Sequence, residues 1–422
     1  MRILLIALGS DGDVEPLLAL AQRLRAAGHS PVVAAQDRFV ARAAALGLNA
    51  VQIGPPWDEK QTGDNFAKVL RARNPLRQVA AVIDMLRDLQ LAVLDDLMAL
   101  AKDADVIVHE PIIAAGAAVA RRLGKPHVTL HLVPLVPGHH YAPTGANLGR
   151  LGNRALWSVT STLLARITDR PLNQVVTAAG LRPWRNIMLD SGRSPSLDLI
   201  GVSPQLMPPD PGWGQATHAI GYLSVDQGTF QPSAELERAT SVPPVVIGFG
   251  SMMGFDARKV TEQILTAVKG LDRPVVIQAG WARLGETELP PNVHVTGFVP
   301  HAWLFERAAC VVHHGGAGTL GAALRAGIPQ AIVWHVGAMP VWDRKLVALG
   351  IAPKPRSHHT LDARWLRRTI DRMLHDREMQ ARARSVGELV AQEDGPGTAV
   401  RLIEELVGKS AQRPAAAQQA NV

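Results

Sequence analysis

Residues Cys310–Thr319 read CVVHHGGAGT, an apolar run followed by two histidines and a glycine-rich turn. Such a run is typical of a strand buried on both faces of a parallel sheet, and the periodic segment Thr319–Ala326 predicts a helix directly after it. Glycines let the backbone approach a ligand closely, and the first N–H groups of a helix lack partners. Together with the positive end of the helix dipole, these features predict a site for an anion such as a diphosphate.

The two adjacent histidines favour an anion site over a plain turn capped by Thr319. His314 can donate a hydrogen bond to the phosphates or share positive charge with them. The Gly-Lys-Ser/Thr ending of a P-loop is absent. A similar loop, Gly248–Gly254, follows another apolar run, and there Ser251 would either cap a helix or contact the same diphosphate.

Strands and helices alternate along both halves of the chain, which indicates βαβ units and doubly wound parallel sheets. In the first half the predicted strands are Ile3–Leu8, Pro31–Ala35, Ala50–Ile53, Asp105–Val108 and His127–Leu132, with helices Glu15–Ala27 and Arg38–Leu46 and one or two long helices over residues 64–101. In the second half they are Val245–Phe249, Pro274–Gln278, Val293–Thr296, Cys310–His313 and Gln330–Val333, with helices Arg258–Lys269 and Thr319–Ala326. One short strand, His218–Gly221, lies between the two series.

A segment rich in proline and glycine, residues 204–244, separates these two series. We therefore predict an α/β protein with two facing Rossmann-like domains, residues 1–215 and 216–391, and a cleft between them. A helix over about 392–408 is expected to pack back on the first domain, and residues 409–422 are expected to form a flexible tail.

The first strand-to-helix loop, Gly9–Pro16, is acidic and does not match the G-x-G-x-x-G dinucleotide fingerprint. A carboxylate at the carboxyl end of a parallel strand is well placed for a general base, and Asp13 is the candidate. Capping of the helix by Asp13 is the structural alternative, and one side chain can do both. Glu110 follows the strand Val106–His109 and would reach the same sheet edge. If the two carboxyls lie close together, repulsion raises the pKa of one of them.

Composition argues against several other classes of protein. The chain has 422 residues and a net charge of +7, and with 4% aromatic residues it shows no basic run interleaved with stacking rings, so no nucleic-acid partner is expected. The single cysteine, Cys310, excludes a disulfide framework, and no apolar segment reaches the roughly 18 residues of a membrane span. The N-terminal apolar run is too short for a signal peptide, so we expect a cytoplasmic protein. His127 and His131 would lie about 13 Å apart on one strand, so no metal site is predicted.

Together the motifs resemble the inverting, nucleotide-sugar-dependent glycosyltransferases of the GT-B fold, in the branch with antibiotic and sterol glycosyltransferases. The resemblance runs from Met1 to about Gly408. Its marks are the loops Gly9–Pro16 and Gly248–Met252, the tripeptide Phe298-Val299-Pro300, and the segments His313–Thr319 and Ala322–Pro329.

The resemblance implies that the first domain binds the acceptor and the second a UDP- or dTDP-sugar as co-substrate, with no metal and no permanently bound cofactor. Asp13 would take the proton of the acceptor hydroxyl, and Glu110 is the next candidate for a catalytic role. Phe298 and Val299 would border the nucleobase, with Phe298 where relatives often have Trp. The residues carried over as donor-binding are Gly250, Ser251, Phe298, Val299, His314, Gly316, Ala317, Gly318, Thr319, Ala338 and Met339.

The pair Ala338-Met339 departs from the family, which usually carries an acidic residue and a Gln there to hold the donor sugar. Either the sugar lacks the usual hydroxyls, as a deoxysugar does, or His335 or Asp343 takes over, or transfer is lost. A catalytically silent nucleotide-sugar-binding protein is therefore one alternative. A sugar-nucleotide epimerase is another, although the sequence offers no second acid/base for it.

The acceptor is expected to be a hydrophobic small molecule such as a natural product, a sterol or a lipid. Residues 64–101 and His139–Arg170 are expected to line its site. Within the second region, Leu148–Ile167 places three arginines beside several leucines. That pattern is typical either of a pocket wall with a solvated face or of a helix in peripheral contact with a membrane. Both a monomer and a homodimer are compatible with the sequence.

Overall fold

The computed structural model describes residues 1–72, 74–133, 135–335 and 340–411. It contains two β-sheets whose described strands all pair in parallel, each sheet associated with its own series of helices. The predicted α/β class with two facing Rossmann-like domains is confirmed.

The first sheet is buried on both faces. Its strands are β1 (Arg2–Ala7), β2 (Ser30–Ala35), β3 (Asn49–Gln52), β4 (Val106–His109), β5 (His127–His131), β6 (Asp198–Ile200) and β7 (Thr217–Ala219), in the spatial order β3-β2-β1-β4-β5-β6-β7. Ile3 and Leu5 of β1 belong to one core, and Leu4 and Ile6 to the core on the other face. Successive side chains of a strand point to opposite faces, which explains the uninterrupted apolar run.

Two helices of the first domain, Glu59–Arg71 and Pro75–Ala92, begin where the side chains of Asp58 and Asn74 cap them. The helices of this domain are α1 (Asp11–Ala26), α2 (Asp37–Ala45), α3 (Glu59–Arg71), α4 (Pro75–Ala92), α5 (Leu94–Ala101), α6 (Ala114–Leu123) and α7 (Gly149–Ala178), followed by a π-helical turn, Ile187–Ser191. Helix α1 begins four residues before the predicted Glu15, since Ser10 is its N-cap. Residues 64–101 belong to three helices rather than one or two, because Asn74 accepts from the N–H of Leu76 and starts a new helix.

The second sheet repeats this arrangement. Its strands are β8 (Val245–Gly248), β9 (Val275–Gln278), β10 (Val293–Thr296), β11 (Cys310–His313), β12 (Gln330–Trp334) and β13 (Arg356–Ser357), in the order β10-β9-β8-β11-β12-β13. Its helices are α8 (Ala234–Ala239), α9 (Ala257–Val268), α10 (His301–Phe305), α11 (Ala317–Arg325), α12 (Pro340–Ala348), α13 (Ala363–His375) and α14 (Arg377–Ala391), with a 3-10 turn at His358–Thr360.

The first sheet extends past the predicted domain boundary at residues 215/216. Strand β7 pairs in parallel with β6, with Leu199 opposite His218. The predicted boundary is therefore too early, because the strand expected within the proline-rich segment completes the edge of the first sheet. The connection between the sheets follows Ala219.

The last helix, α15 (Gly395–Ala411), packs on the first domain. Its residues Ala399 and Ile403 share a core with Leu17 and Leu20 of α1. The helix continues three residues beyond the predicted end at 408, so the predicted tail begins too early. Residues 412–422 of that tail lie outside the described residues.

Candidate functional site

A cleft of about 1530 Å³ lies between the two domains. The loops after β1, β4 and β5 form its wall in the first domain, and the loops after β8, β9 and β11 form its wall in the second. Open parallel sheets bind ligands at the carboxyl ends of their strands. The predicted site residues that line the cleft are Asp13, Glu110, Gly250, Ser251, Phe298, His314, Gly316, Ala317, Gly318 and Thr319.

Asp13 lies in the first turn of α1 and is held by Ser10. Its Oδ2 accepts hydrogen bonds from the backbone N–H of Ser10 at 2.6 Å and from the Ser10 hydroxyl at 2.8 Å. Ser10 is the N-cap and Asp13 the third helical residue, and because Asp13 accepts from the N–H of Ser10 the two form a capping box, so Asp13 contributes to capping of the helix as the structural alternative expected. Among the described residues none hydrogen-bonds to Oδ1, which leaves one carboxylate oxygen of Asp13 without a protein partner.

The two carboxyl groups at this sheet edge interact electrostatically. Burial raises the pKa of Asp13, the hydrogen bonds from Ser10 lower it, and the charge of Asp11 raises it. Glu110 is buried, and burial together with the negative charge of Asp13 raises its pKa well above the usual value. The repulsion expected from the sequence is therefore present. The hydrogen bonds from Ser10 stabilise the ionised form of Asp13, so the repulsion between the two carboxyls is relieved when Glu110 keeps its proton.

The N-terminus of α11 opens into the cleft. Gly316 is its N-cap and has no side chain with which to cap it. Within the described part of the chain no acceptor takes the N–H groups of Ala317, Gly318 and Thr319, as is usual for the first turn of a helix. Gly318 is exposed, and a Cβ there would meet nothing within 4 Å. Thr319 lies in the first turn instead of at the cap, so the capped-turn alternative is wrong.

The two adjacent histidines have different surroundings. His313 is fully buried, its Nδ1 accepts from the N–H of Gly315 at 3.1 Å, and its Nε2 lies 3.0 Å from the Oε1 of Gln330. His313 therefore shapes the turn from inside the domain. His314 lines the cleft, and its buried Nδ1 has no hydrogen-bond partner. Burial lowers the pKa of His314 to about 4, so the side chain is neutral in the unliganded cleft.

Gly250 and Ser251 lie opposite this turn. Gly250 has φ +56°, and a Cβ there would come within 2.9 Å of the His314 ring. Helix α9 is capped by Asp256, whose side chain accepts from the N–H of Lys259 at 3.0 Å. Of the two roles predicted for Ser251, helix capping is therefore wrong, and its side chain belongs to the cleft wall.

The side chains of Phe298 and Val299, at the end of this wall, have different surroundings. Phe298 is 71% exposed, lines the cleft and lies 5.5 Å from the guanidinium of Arg42 in the first domain. Val299 is buried and packs with Leu304 and Phe305. The Val299 side chain is therefore not part of the described cleft wall, because successive residues of an extended segment point in opposite directions. That Val299 borders the nucleobase stays a prediction.

The predicted donor-binding residues Ala338 and Met339 lie outside the described residues. Of the two proposed substitutes, His335 lines the cleft, whereas Asp343 is buried and not part of the cleft wall as described. The Nδ1–H of His335 donates to the carbonyl of Val333 at 2.9 Å, so Nε2 carries the lone pair. Among the residues that the structure describes, none hydrogen-bonds to that buried Nε2. Burial and the nearby His358 lower the pKa of His335 well below its usual value.

An aromatic contact between the domains was missed by the sequence analysis. The guanidinium of Arg38 lies 4.5 Å from the ring centroid of Trp57 and 4.3 Å from that of Trp281, which comes from the second domain. The two rings meet edge to face at 5.1 Å. The available signal was weak: each tryptophan lies in a loop that follows a strand, and nothing along the chain links them.

Two segments, residues 64–101 and His139–Arg170, were predicted to line the acceptor site, and only the first lies in the cleft wall as described. Apolar side chains of α3 and α4 line the cleft, among them Val69, Val82, Met85, Leu86 and Leu89. No residue of the region 139–170 contributes to the cleft wall as described, so the prediction that this region lines the acceptor site is wrong. Its helix α7 instead packs against α4.

The described residues contain neither a cluster of metal ligands nor a membrane-spanning helix. No group of three or more His, Cys, Asp or Glu side chains is arranged to hold a metal ion. No described helix is long and apolar enough to cross a membrane. Cys310 is a free, fully buried thiol, and burial raises its pKa to about 12, as expected for a cysteine in the core.

Two family models match the chain. Residues 3–95 match the Glycosyltransferase family 28 N-terminal domain, and residues 262–406 match the Erythromycin biosynthesis protein CIII-like, C-terminal domain. Glycosyltransferase GtfE of Amycolatopsis orientalis is 33% identical over 83% of this chain and 85% of its own length. O-mycaminosyltylonolide 6-deoxyallosyltransferase of Streptomyces fradiae is 30% identical over 96% of this chain and 97% of its own length. Sterol 3-beta-glucosyltransferase UGT80B1 of Arabidopsis thaliana is 29% identical over 95% of this chain and 67% of its own length.

Solved structures share the fold. The glycosyltransferase of kitacinnamycin has a TM-score of 0.72 at 20% identity, with 96% of this chain and 99% of that chain covered. Glycosyltransferase VinC, solved in complex with dTDP, has a TM-score of 0.70 at 19% identity, with 97% and 100% covered. Two facing parallel α/β domains with a cleft at their strand ends define the GT-B class. This chain belongs to the GT-B glycosyltransferases, in the branch that contains the antibiotic and sterol glycosyltransferases.

Proposed function

We propose that this glycosyltransferase is an inverting enzyme that moves a sugar from a UDP- or dTDP-sugar to a hydroxyl of a hydrophobic small molecule. Asp13 acts as the general base, and the N-terminus of α11 holds the diphosphate. The observation that carries the proposal is the pairing of two features in one cleft. A carboxylate oxygen without a protein partner belongs to one domain, and three unpaired N–H groups belong to the other.

In the proposed reaction, Asp13 accepts the proton of the acceptor hydroxyl while the hydroxyl oxygen forms a bond to the anomeric carbon. The bond from that carbon to the diphosphate oxygen breaks on the opposite face, so the configuration inverts. The leaving diphosphate takes both electrons of the broken bond. The N–H groups of residues 317–319, the helix dipole and a hydrogen bond from His314 stabilise its growing charge without a metal.

Glu110 has a different role in this proposal. With a pKa raised well above normal it is a neutral carboxylic acid when Asp13 is ionised. A protonated carboxyl can donate a hydrogen bond but cannot accept the acceptor proton. We therefore assign the base role to Asp13 and propose that Glu110 orients the acceptor hydroxyl.

The donor sugar is proposed to be one with few hydroxyl groups, such as a deoxyhexose. The apolar pair Ala338-Met339 cannot hydrogen-bond to sugar hydroxyls through its side chains. His335 offers one neutral acceptor, Nε2, in the same wall of the cleft. The similarity to a 6-deoxyallosyltransferase supports a deoxysugar, and the fold shared with a dTDP complex is compatible with dTDP as the carrier.

The acceptor is proposed to lie against α3 and α4, whose apolar side chains face the cleft. An apolar wall of this kind favours a hydrophobic aglycone, since burial of apolar surface drives such binding. The relatives named for macrolide and sterol glycosylation support the same class of acceptor.

Replacement of Asp13 by Asn tests the base directly. We expect D13N to lose about 10²–10⁴-fold in transfer rate, because the acceptor proton has no base to receive it. The affinity for UDP or dTDP, measured by calorimetry, should stay nearly unchanged, since residues 314–319 remain. The matched variant E110Q keeps a hydrogen-bond donor and should retain most of the activity. Comparable turnover by D13N would contradict the assignment.

The two alternatives differ from the proposal in their products. Incubation with UDP- and dTDP-sugars and a panel of hydrophobic alcohols should release free nucleotide only when an acceptor is present. A silent binding protein would bind nucleotide but release none with any acceptor. An epimerase would change the donor sugar in the absence of an acceptor.

A further inference from the structure

The first half of α7 exposes a row of large apolar side chains on one side of the molecule. Leu151, Ala155, Val159 and Leu163 recur every four residues and therefore share one side of the helix. The exposed fractions are 56% for Leu148, 81% for Leu151, 55% for Val159 and 39% for Leu163. Large apolar side chains exposed together on one helix are unusual and mark a surface that contacts another apolar phase.

The other side of the same helix is firmly anchored. Trp157 is 3% exposed, and its Nε1–H donates to the carbonyl of Tyr141 at 2.8 Å. Asn153 is fully buried and donates to the carbonyl of His139 at 2.6 Å. These contacts fix the rotation of α7, so the apolar row points away from the protein instead of toward the cleft.

The charged residues of α7 that precede Asp169 are all arginines. Arg150, Arg154 and Arg166 are exposed, and none of them has an ion-pair partner among the described residues. The chain contains no Asp or Glu from residue 111 to residue 168. We call the four exposed apolar residues and these three arginines the α7 surface.

We propose that the α7 surface docks on an anionic lipid bilayer. The apolar side chains would enter the boundary between headgroups and acyl chains, and the arginines would contact lipid phosphates. Each arginine near an anionic leaflet adds attraction that is screened by salt. The combination of an exposed apolar row with uncompensated positive charge fits this partner on both counts.

A second copy of this chain fits the α7 surface less well. A symmetric dimer brings the same patch of both copies together, so residues of one α7 face the same residues of the other. The three arginines would then meet arginines, and the carboxylate of α7, that of Asp169, already accepts from the N–H groups of Asn186 and Ile187. Like charges brought together in this way oppose association.

Helix α4 both contacts α7 and lines the cleft. The core that the two helices share, with Ile83 of α4 and Leu172 and Val176 of α7, involves the second half of α7 and leaves the exposed row free for a bilayer. The binding itself does not depend on the proposed function and is tested without substrate.

Co-sedimentation with lipid vesicles tests the proposal. We expect the full-length protein to pellet with vesicles that contain phosphatidylglycerol and to stay in solution with pure phosphatidylcholine. Binding should be present at ~0.1 M salt and largely lost at ~1 M, where the Debye length falls from about 10 Å to about 3 Å. The variant L151E/V159E should bind at least ~10-fold more weakly, because two charges replace apolar groups that docking would bury in the bilayer.

The matched control is L389E, which adds a charge at a leucine that is 48% exposed on α14 of the second domain. It should bind vesicles like the wild type, and thermal melts should show that both variants are folded. Wild-type protein that stays in solution with anionic vesicles would overturn the proposal. So would equal binding by L151E/V159E, or a wild-type dimer in analytical ultracentrifugation that this variant dissociates.

Discussion

His335 lies at the end of β12, in the wall of the cleft that belongs to the second domain. A buried Nε2 lone pair without a partner costs free energy unless a ligand supplies a donor. A sugar hydroxyl is such a donor. We therefore interpret His335 as a contact for the donor sugar that acts where the family's usual polar pair is missing.

The variant H335F tests this contact. Phe keeps the ring but removes the acceptor, so KM for the sugar nucleotide should rise by roughly 5- to 100-fold, as expected for about 1–3 kcal/mol of an unmade hydrogen bond. The affinity for free UDP or dTDP should not change. D343N is the matched control, since Asp343 is buried outside the described cleft wall, and it should leave KM unaltered. An unchanged KM in H335F would exclude the contact.

Single residues were predicted from the sequence where one local pattern decides them. Asp13 and His314 each lie in a glycine-containing loop region directly after an apolar run, and both line the cleft. The different roles of His313 and His314 could not be predicted, because they depend on Gln330, which lies on the neighbouring strand. The burial of the Val299 side chain could not be predicted, since spacing along the chain does not tell which side of an extended segment faces the cleft.

At the level of elements, the first turn of α1 controls the ionisation of the proposed base. Hydrogen bonds from Ser10 favour the charged form of Asp13, and the charge of Asp11 disfavours it. A general base works only when ionised, so transfer should fall as pH falls through the pKa of Asp13. Burial raises that pKa, so activity should be lost at a higher pH than for an exposed aspartate.

Two variants should shift, in opposite directions, the pH at which kcat/KM falls on the acidic side of the pH–rate profile, called here the acid limb. S10A removes the hydroxyl that donates to Asp13, so the pKa of Asp13 and the acid limb of kcat/KM should shift to higher pH. Loss of the N-cap should also lower the free energy of unfolding by about 1 kcal/mol. D11N removes a like charge and should shift the limb to lower pH. Shifts in the same direction in both variants, measured by a pH–rate profile, would contradict this account.

The sequence predicted well those elements that bury one or both of their faces, because burial leaves an apolar pattern in the sequence. The strands β1, β2, β8 and β11 are short apolar runs that end at polar or glycine residues. The starts of helices were predicted less well: α1 begins at Asp11 and α11 at Ala317, before the predicted Glu15 and Thr319. The first turn of each helix is polar or glycine-rich, so the apolar periodicity begins only after it. Strand β7 was assigned to a linker since its edge position in the sheet is set by pairing with β6.

At the scale of the whole molecule, Arg38 connects the two domains beside the cleft. Its guanidinium contacts Trp57 of its own domain and Trp281 of the other. Glu59 and Arg283 add an ion pair of 3.3 Å between the domains, but both side chains are largely exposed, so this pair contributes little. The cation–π contact of Arg38 with Trp57 and Trp281 is therefore the stronger of the two contacts between the domains near the site.

Removal of the contact between Arg38 and Trp281 should allow the two domains to move farther apart. W281A should increase the radius of gyration in solution scattering and raise KM for the donor, because a cation–π contact of about 0.5–2 kcal/mol is lost. The matched control is W303A, since Trp303 stacks on Arg307 at 4.4 Å within the second domain. W303A should leave the radius of gyration unchanged. Identical scattering and kinetics for W281A and the wild type would show that the contact does not hold the domains.

The sequence predicted the two domains and the cleft but not the contacts between the domains. Each domain follows from its own apolar pattern, whereas Arg38 and Trp281 are separated by more than half of the chain. Their meeting depends on how the two sheets face each other, which no local pattern encodes.

The central claim is that α11 holds the diphosphate opposite the carboxylate of Asp13. A crystal structure with UDP or dTDP in the cleft tests it most directly. The account predicts diphosphate oxygens within hydrogen-bond distance of the N–H groups of Ala317, Gly318 and Thr319, with the free Oδ1 of Asp13 facing the open side of the cleft. A diphosphate bound elsewhere, or an Asp13 side chain turned away from the cleft, would contradict the account.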